Sequence, residues 1–243
     1  MYMMLVDTSR CISCRACQVA CKMWHALPPE ENDEPRTDLT STTFTLVKET
    51  EGEVKRKLKK GTLPPVSVEE NKMMRLFFKD QCRHCVAARC RLACRDALGK
   101  GNEAIVRERT GAIVIDKTKC VPATCVIKPW GTKYPCVERC PYHLPRLDPV
   151  SNVMRKCDFC YDRIGEIKDG SPRTTACADA CPTGAIFFGT VNKVTAEAKA
   201  RLIKVRKRYP DARLGGYVNS TRVRWILVGA HALYGLPTNI GGK

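Results

Sequence analysis

The sequence is poor in the features that most function classes require. Aromatic residues are only 7% of its 243 residues, and its basic residues form no RNA-recognition or helix-turn-helix pattern. The formal charge of +17, from 42 Lys+Arg against 25 Asp+Glu, is therefore not read as nucleic-acid binding. No G-x-G-x-x-G follows a candidate strand, and Gly215-Gly216 makes no nucleotide fingerprint, so neither a flavin nor a nicotinamide site is expected. The four histidines, His25, His84, His143 and His231, are scattered, and no catalytic residue is assigned. The opening MYMMLVDTSRC shows no basic, apolar and small-residue leader, which argues against a disulfide-rich secreted protein. The longest apolar stretch near the C-terminus, Val223 to Leu236, has 14 residues including Arg224 and His231, too few to span a bilayer. The protein is expected to be soluble, or peripheral through a partner, with no transmembrane segment of its own.

What the sequence does hold is cysteine, 16 of them, in a chain whose 44% hydrophobic and 28% charged content belongs to a globular protein. They fall into four groups of four with none left over. Cys11, Cys14, Cys17 and Cys21 are spaced C-x2-C-x2-C-x3-C, and Cys82, Cys85, Cys90 and Cys94 are spaced C-x2-C-x4-C-x3-C. Cys120, Cys125, Cys136 and Cys140 form a looser third group, and Cys157, Cys160, Cys177 and Cys181 a fourth. Each group ends in C-x3-C, and Cys140 and Cys181 run into Pro141 and Pro182, the closing feature of the bacterial ferredoxin run. A tight loop presents three thiolates to one cubane, while the fourth cysteine, on the turn that follows, points to a neighbouring cluster. Groups then work in pairs, and four groups make two pairs. A single C-x2-C knuckle also suits zinc, but three cysteines at two-residue gaps crowd three sulfurs onto one loop, which fits a cubane corner better than one small ion.

Strand patterns recur beside these loops, at Tyr2 to Val6, Met73 to Phe78 and Gly184 to Phe188. A hairpin pattern runs from Ala104 to Val106 through Arg109-Thr110-Gly111 to Ala112 to Ile115. Residues 28–72, rich in Pro, Glu, Lys and Thr, read as an insertion, and Thr195 to Tyr209 has helical spacing. The fold class expected is α+β.

The stretches VDTSRC, CRACQVACKMWH, DQCRHC, CPYHLPR, KCDFCYDRI and ACPTGAIFFG resemble the iron-sulfur subunits of the molybdopterin oxidoreductase superfamily. Within it the chain is most similar to the β subunits of molybdenum- or tungsten-dependent formate dehydrogenases, through CRACQVACKMWH and the C-terminal LYGLP. The resemblance implies two ferredoxin-like lobes holding two 4Fe-4S clusters each: residues 1–27 with 150–190 as the first lobe and 73–149 as the second. Residues 28–72 are then the insertion, and residues 191–243 a C-terminal extension packing on the lobes or a partner. It further implies that Cys11, Cys14, Cys17 and Cys181 hold one cluster, and Cys157, Cys160, Cys177 and Cys21 its neighbour. Cys82, Cys85, Cys90 and Cys140 hold a third, and Cys120, Cys125, Cys136 and Cys94 the fourth. The third motif departs from the family pattern, with VIKPWGTKYP inserted between Cys125 and Cys136; three clusters remain if that site does not form.

The implied function is electron relay, without catalysis by this chain, between a large molybdopterin subunit that oxidises formate or reduces CO2 and an external acceptor such as a cytochrome. An electron-transfer subunit of another molybdopterin enzyme and a free-standing polyferredoxin are the alternatives. Basic residues lie within two positions of a cysteine at Arg15, Lys22, Arg83, Arg89, Arg91, Arg95, Arg139, Arg155 and Lys156. Cations there favour the more negative, reduced state of a cluster, so Lys156→Glu is expected to lower the potential of the one held by Cys157. By resemblance to soluble two-subunit formate dehydrogenases, a periplasmic location reached by export with the partner is expected, with the cytoplasm as the alternative.

Overall fold

A computed structural model describes residues 1–29, 36–60, 66–127, 131–165, 167–168, 171–216 and 220–235. Part of the 28–72 segment, part of VIKPWGTKYP and the end of LYGLP lie outside these residues. The chain divides into two compact units. Unit 1 comprises Met1–Tyr2, Arg15–Leu46 and Asp80–Ala180; unit 2 comprises Met3–Cys14, Val47–Lys79 and Cys181–Lys243. Helix and strand are mixed in both, so the α+β class holds. No helix among the described residues is long and apolar enough to cross a membrane.

In chain order the first elements are β1 (Tyr2–Asp7), α1 (Ala16–Trp24), β2 (Thr45–Lys60), β3 (Val66–Gln81) and α2 (Arg89–Leu98). Short strands follow: β4 (Ile105–Arg107), β5 (Ile113–Ile115), β6 (Val126–Ile127) and β7 (Thr132–Lys133), then α3 (Pro135–Glu138). The remainder holds β8 (Arg146–Asp148), β9 (Val153–Arg155), β10 (Ile167–Lys168), β11 (Ser171–Pro172), α4 (Ala176–Asp179), β12 (Ile186–Thr190), α5 (Val191–Arg206), β13 (Arg213–Gly215) and β14 (Val223–Leu227).

Unit 2 is a four-stranded sheet in the order β12-β1-β14-β13. Its centre is the parallel pair β1 and β14, with Met4 opposite Val223 and Val6 opposite Trp225. Met3, Met4, Leu5 and Val6 are all buried, because both faces of this strand are covered. On one face Met3, Leu5 and Ile226 pack against Val194 and Ala198 of α5. That helix begins before Thr195 because Thr190 caps it, its side chain accepting from the Lys193 N–H. The strands expected at Tyr2 to Val6 and Gly184 to Phe188 correspond to β1 and β12.

The 28–72 segment contains all of β2 and the start of β3, which pair as a two-stranded ribbon. Its outer side pairs Lys55 and Lys57 with Glu69, and the less exposed Arg56 and Glu70 pair on the opposite face. Its inner side turns Val54, Leu76 and Phe78 into the unit. Trp225 Nε1 donates to Lys79 O at 3.4 Å, and Phe78 meets Tyr234 edge to face at 5.6 Å.

In unit 1, α1 packs beside α4 and α2 beside α3, the same arrangement twice. The hairpin expected around Arg109-Thr110-Gly111 is present as β4 and β5, with Ile105 opposite Ile115 and Arg107 opposite Ile113. A second hairpin joins β8 and β9, with Leu147 opposite Met154.

Replacing the fully buried Ile226 with Ala should destabilise the protein by about 2–5 kcal/mol, read as a fall in the midpoint of thermal or chemical unfolding. Ile203→Ala, at a position 65% exposed on α5, should change the same midpoint by less than about 0.5 kcal/mol.

Candidate metal centres

The cysteine loops are coiled through backbone conformations that few side chains adopt. Ser13, His84, Phe159 and Cys160, inside C-x2-C segments, and Arg15 just after one, all have φ between 47° and 67°. Left-handed residues turn the chain tightly enough for neighbouring thiols to face one point. Each loop leads to a helix on which two cysteines are four residues apart and so share a face: Cys17 and Cys21 on α1, Cys90 and Cys94 on α2. α3 and α4 begin the same turn at Cys136 and Cys177 and end just before Cys140 and Cys181. All sixteen cysteines are free thiols.

In unit 1 the thiols meet in sets drawn from different motifs. Cys94, Cys120, Cys125 and Cys136 line one small apolar pocket with Ile105, Tyr134 and Met154. Burial pushes the Cys136, Cys120 and Cys125 thiols up, and the nearby thiols of the same set push them further. The Met154 N–H donates to Cys120 Sγ at 3.3 Å. Cys82, Cys85, Cys90 and Cys140 form a second set. Burial pushes Cys85 and Cys90 up to about 12, with Cys82 and Cys140 adding to the effect at both. Cys160 is raised by burial and then by Cys177 and Cys157, a third set. Cys21 lies in the same buried cluster as Cys157, together with Cys82 and Cys140.

In unit 2 the sheet brings the two ends of the chain together. The Asp7 N–H at the end of β1 donates to Ala185 O, just before β12, at 2.8 Å. The fully buried Asp7 carboxylate accepts from Ser9 N–H and Oγ–H, and Arg10 and Arg201 lie at 3.6 and 3.9 Å. Arg201 also donates to Gly184 O at 2.6 Å. These contacts tie the loop leading to Cys11 to the loop leaving Cys181. The Cys11 thiol is pushed up by burial and then by Cys181 and Cys14. Cys17, grouped with these three by the family resemblance, is buried on α1 of unit 1.

The chemistry of these donors fits iron-sulfur clusters. Four thiols held together in low dielectric cannot all ionise, because each thiolate raises the cost of the next. A cluster of iron ions removes that obstacle by supplying positive charge at the point where the sulfurs converge. Spacing identified the thiols, but the groups around them were not legible in it. His25 bridges two segments: Nδ1 donates to Cys21 O at 2.9 Å and Nε2 to Asp158 Oδ1 at 2.7 Å, while the same Asp158 oxygen accepts the Cys160 N–H at 2.8 Å. Burial pushes His25 down, but the hydrogen bond and charge of Asp158 outweigh it and the imidazolium is favoured. Asp158 is held below the usual carboxylate range because His25 outweighs the opposing effect of burial. His25, Asp158 and Cys160 donor atoms lie within 4.8 Å of one another, as a single-ion site would need, but Asp158 is already engaged by both neighbours. His143 lies beside Cys140 and Arg139 on an open groove, and His231 lies in a short 3-10 turn.

Residues 73–191 match the family described as 4Fe-4S dicluster domain, and residues 2–23 that described as 4Fe-4S binding domain. Along most of its length the chain is similar to formate dehydrogenase subunit beta of Megalodesulfovibrio gigas, 36% identical over 93% of this chain and 92% of that protein. Formate dehydrogenase 2 subunit beta (cytochrome c-553) of Nitratidesulfovibrio vulgaris is 32% identical over 86% of each chain. The iron-sulfur subunit of the nitrate-inducible formate dehydrogenase of Escherichia coli is 31% identical over 96% of this chain and 71% of that protein.

His25→Ala deprives the half-buried Asp158 carboxylate of its ring partner and removes the ring donor from Cys21 O, which keeps the backbone N–H of residue 25. The folded state should lose about 1–3 kcal/mol, measured by anaerobic chemical unfolding of the variant beside the parent protein.

Proposed function

The chain belongs to the family of formate dehydrogenase iron-sulfur (beta) subunits, and from that membership we propose that it relays electrons through four 4Fe-4S clusters. The electrons would pass between a large catalytic subunit carrying a molybdenum or tungsten pterin, where formate and CO2 interconvert, and an external acceptor. The name of the Nitratidesulfovibrio relative supports a cytochrome as that acceptor. When bound, the clusters supply one-electron oxidation and reduction; this chain's residues hold them, space them and keep water away.

The observation that carries the proposal is the continuity of the cysteine sets within unit 1. Cys21 and Cys157 share a buried cluster with Cys82 and Cys140. Cys85 and Cys90 pack in turn against the cluster that holds Cys94 and Cys136, and the Cys136 thiol is raised by Cys90 as well as by its own set. Three sets thus follow one another through the buried clusters of unit 1. In this reading Cys21, Cys157, Cys160 and Cys177 hold one cluster. Cys82, Cys85, Cys90 and Cys140 hold the next, and Cys94, Cys120, Cys125 and Cys136 the third. Cys11, Cys14, Cys17 and Cys181 hold the fourth by the ligation scheme of the family. An intact third motif is supported by the pocket that Cys94, Cys120, Cys125 and Cys136 line despite the long VIKPWGTKYP connection.

Anaerobically purified protein should copurify with a large pterin-containing chain and hold about 16 iron and 16 acid-labile sulfide per chain. Cys94→Ser should lower the iron by about 4 per chain and abolish one reducible centre, leaving the others. Formate added to the complex should bleach the visible absorbance of the clusters. Zinc without sulfide, or isolation of the chain alone with full iron, would overturn the assignment.

A further inference from the structure

Of the eleven basic residues within two positions of a cysteine, the nine named above with Arg10 and Lys119, only Arg83 and Lys156 are buried. The charge of Arg83 is met within the protein: Nη1 lies 2.7 Å from Asp80 Oδ1 and also donates to Gln81 O. Lys156 is different. Its side-chain Nζ donates to Cys157 O at 2.9 Å and to Ile113 O, both of them backbone carbonyls. The carboxylate closest in sequence, Asp158, is hydrogen-bonded to His25 and to the Cys160 N–H, and the charge of Lys156 reaches it without a hydrogen bond between them. A cation in the interior is costly unless negative charge lies near it. The thiol sets on either side of Lys156 are where such charge would reside.

The position is fixed by a single residue of β5. Ile113 stands opposite Arg107, whereas the Glu108 N–H bonds Ala112 O and the Asp116 N–H bonds Ala104 O. Alternate residues of an antiparallel pair turn their peptide groups outward, and Ile113 is one of these. Its N–H donates to His84 Nδ1 at 3.0 Å, and its C=O accepts from Lys156. His84 comes from the Cys82 to Cys85 loop, and its ring stacks on Phe159 of the Cys157 to Cys160 loop at 4.1 Å with 14° between planes. Through its N–H and its C=O this one residue therefore holds His84 of one cysteine loop and Lys156 at the entry to another. The ammonium it anchors is next in sequence to Cys157, and its charge also reaches Cys90 and Cys140.

We propose that Lys156 is a shared counter-cation for two adjacent metal centres, the one held by Cys82, Cys85, Cys90 and Cys140 and the one held by Cys21, Cys157, Cys160 and Cys177. This rests on the reading of both sets as cluster sites. A fixed buried cation favours the more negative state of each, so it raises both potentials together. It is a positioning and charge-setting residue, because it binds backbone rather than iron.

The test is an electron paramagnetic resonance redox titration of the assembled complex with Lys156→Met and Lys156→Arg, after iron and sulfide have been measured in each. The expected result is a downward shift of two midpoint potentials in Lys156→Met, in the centres whose signals Cys90→Ser and Cys160→Ser perturb, with the others unmoved. Lys156→Arg should retain values close to those of the parent. If Lys156→Met does not load its clusters, Lys156→Gln, which still offers donors to the carbonyls, replaces it with the same expectation. Fully loaded variants with unmoved potentials, or with only one centre shifted, would overturn the shared role. A parent protein without clusters would instead overturn the function from which the inference starts.

Discussion

Thiols from separated segments must converge on points that no side chain fills, and the rest of unit 1 is arranged around that requirement. Its buried clusters are partly sulfur: Cys21, Cys82, Cys140 and Cys157 pack with Leu27, Leu39 and Phe44, and Cys94 and Cys136 with Ile105 and Ile113. An ordinary core gains stability from hydrocarbon packed against hydrocarbon. Here the most buried positions face donor sets instead, so folding and filling of the sites are one equilibrium. Left-handed backbone at Ser13, His84, Phe159 and Cys160 costs about 1–3 kcal/mol at each residue, and it persists because the sulfurs must be aimed.

The same requirement explains the polar groups that the interior tolerates. Buried Lys156, the His25 and Asp158 pair and the Met154 N–H on Cys120 all sit where sulfur charge would accumulate. Electrostatic interactions there are weakly screened, so a single side chain acts on more than one centre. Unit 2, by contrast, has a conventional sheet and helix core. Its contribution to the sites is made at one end of the sheet, where Asp7, Arg201 and Gly184 join the loops of Cys11 and Cys181.

Much of this was readable in the chain because the signals were strong and local. The cysteine groups, the strand at Tyr2 to Val6, the hairpin around Gly111 and the helix before Tyr209 each follow from spacing or periodicity within a short window. The ribbon of β2 and β3 did not, because its alternation is carried by Lys55, Arg56, Lys57, Glu69 and Glu70, which read as polar insertion until paired across the strands. β14 was hidden for the opposite reason: Val223 to Leu227 is buried on both faces and shows no alternation. His84 and Phe159 looked like spacers between cysteines, and Lys156, expected to act on the cluster held by Cys157, showed in the sequence neither its burial nor its reach to a second set. Their roles depend on Ile113, a residue of no chemical distinction whose outward peptide groups come from register alone.

The parallel pairing of β1 with β14 also sets a timetable for biosynthesis. Thr8 donates to Ile226 O across 218 residues of sequence. At about 5–20 residues per second on the ribosome, the apolar Met3 to Val6 strand emerges roughly 10–40 s before its partner exists. During that interval the first cysteine motif is also without Cys181, and a sticky strand and a set of reactive thiols stand exposed together. Such high contact order slows folding and invites aggregation. The sheet of unit 2 can therefore close only after β14, in the C-terminal third of the chain, has been made.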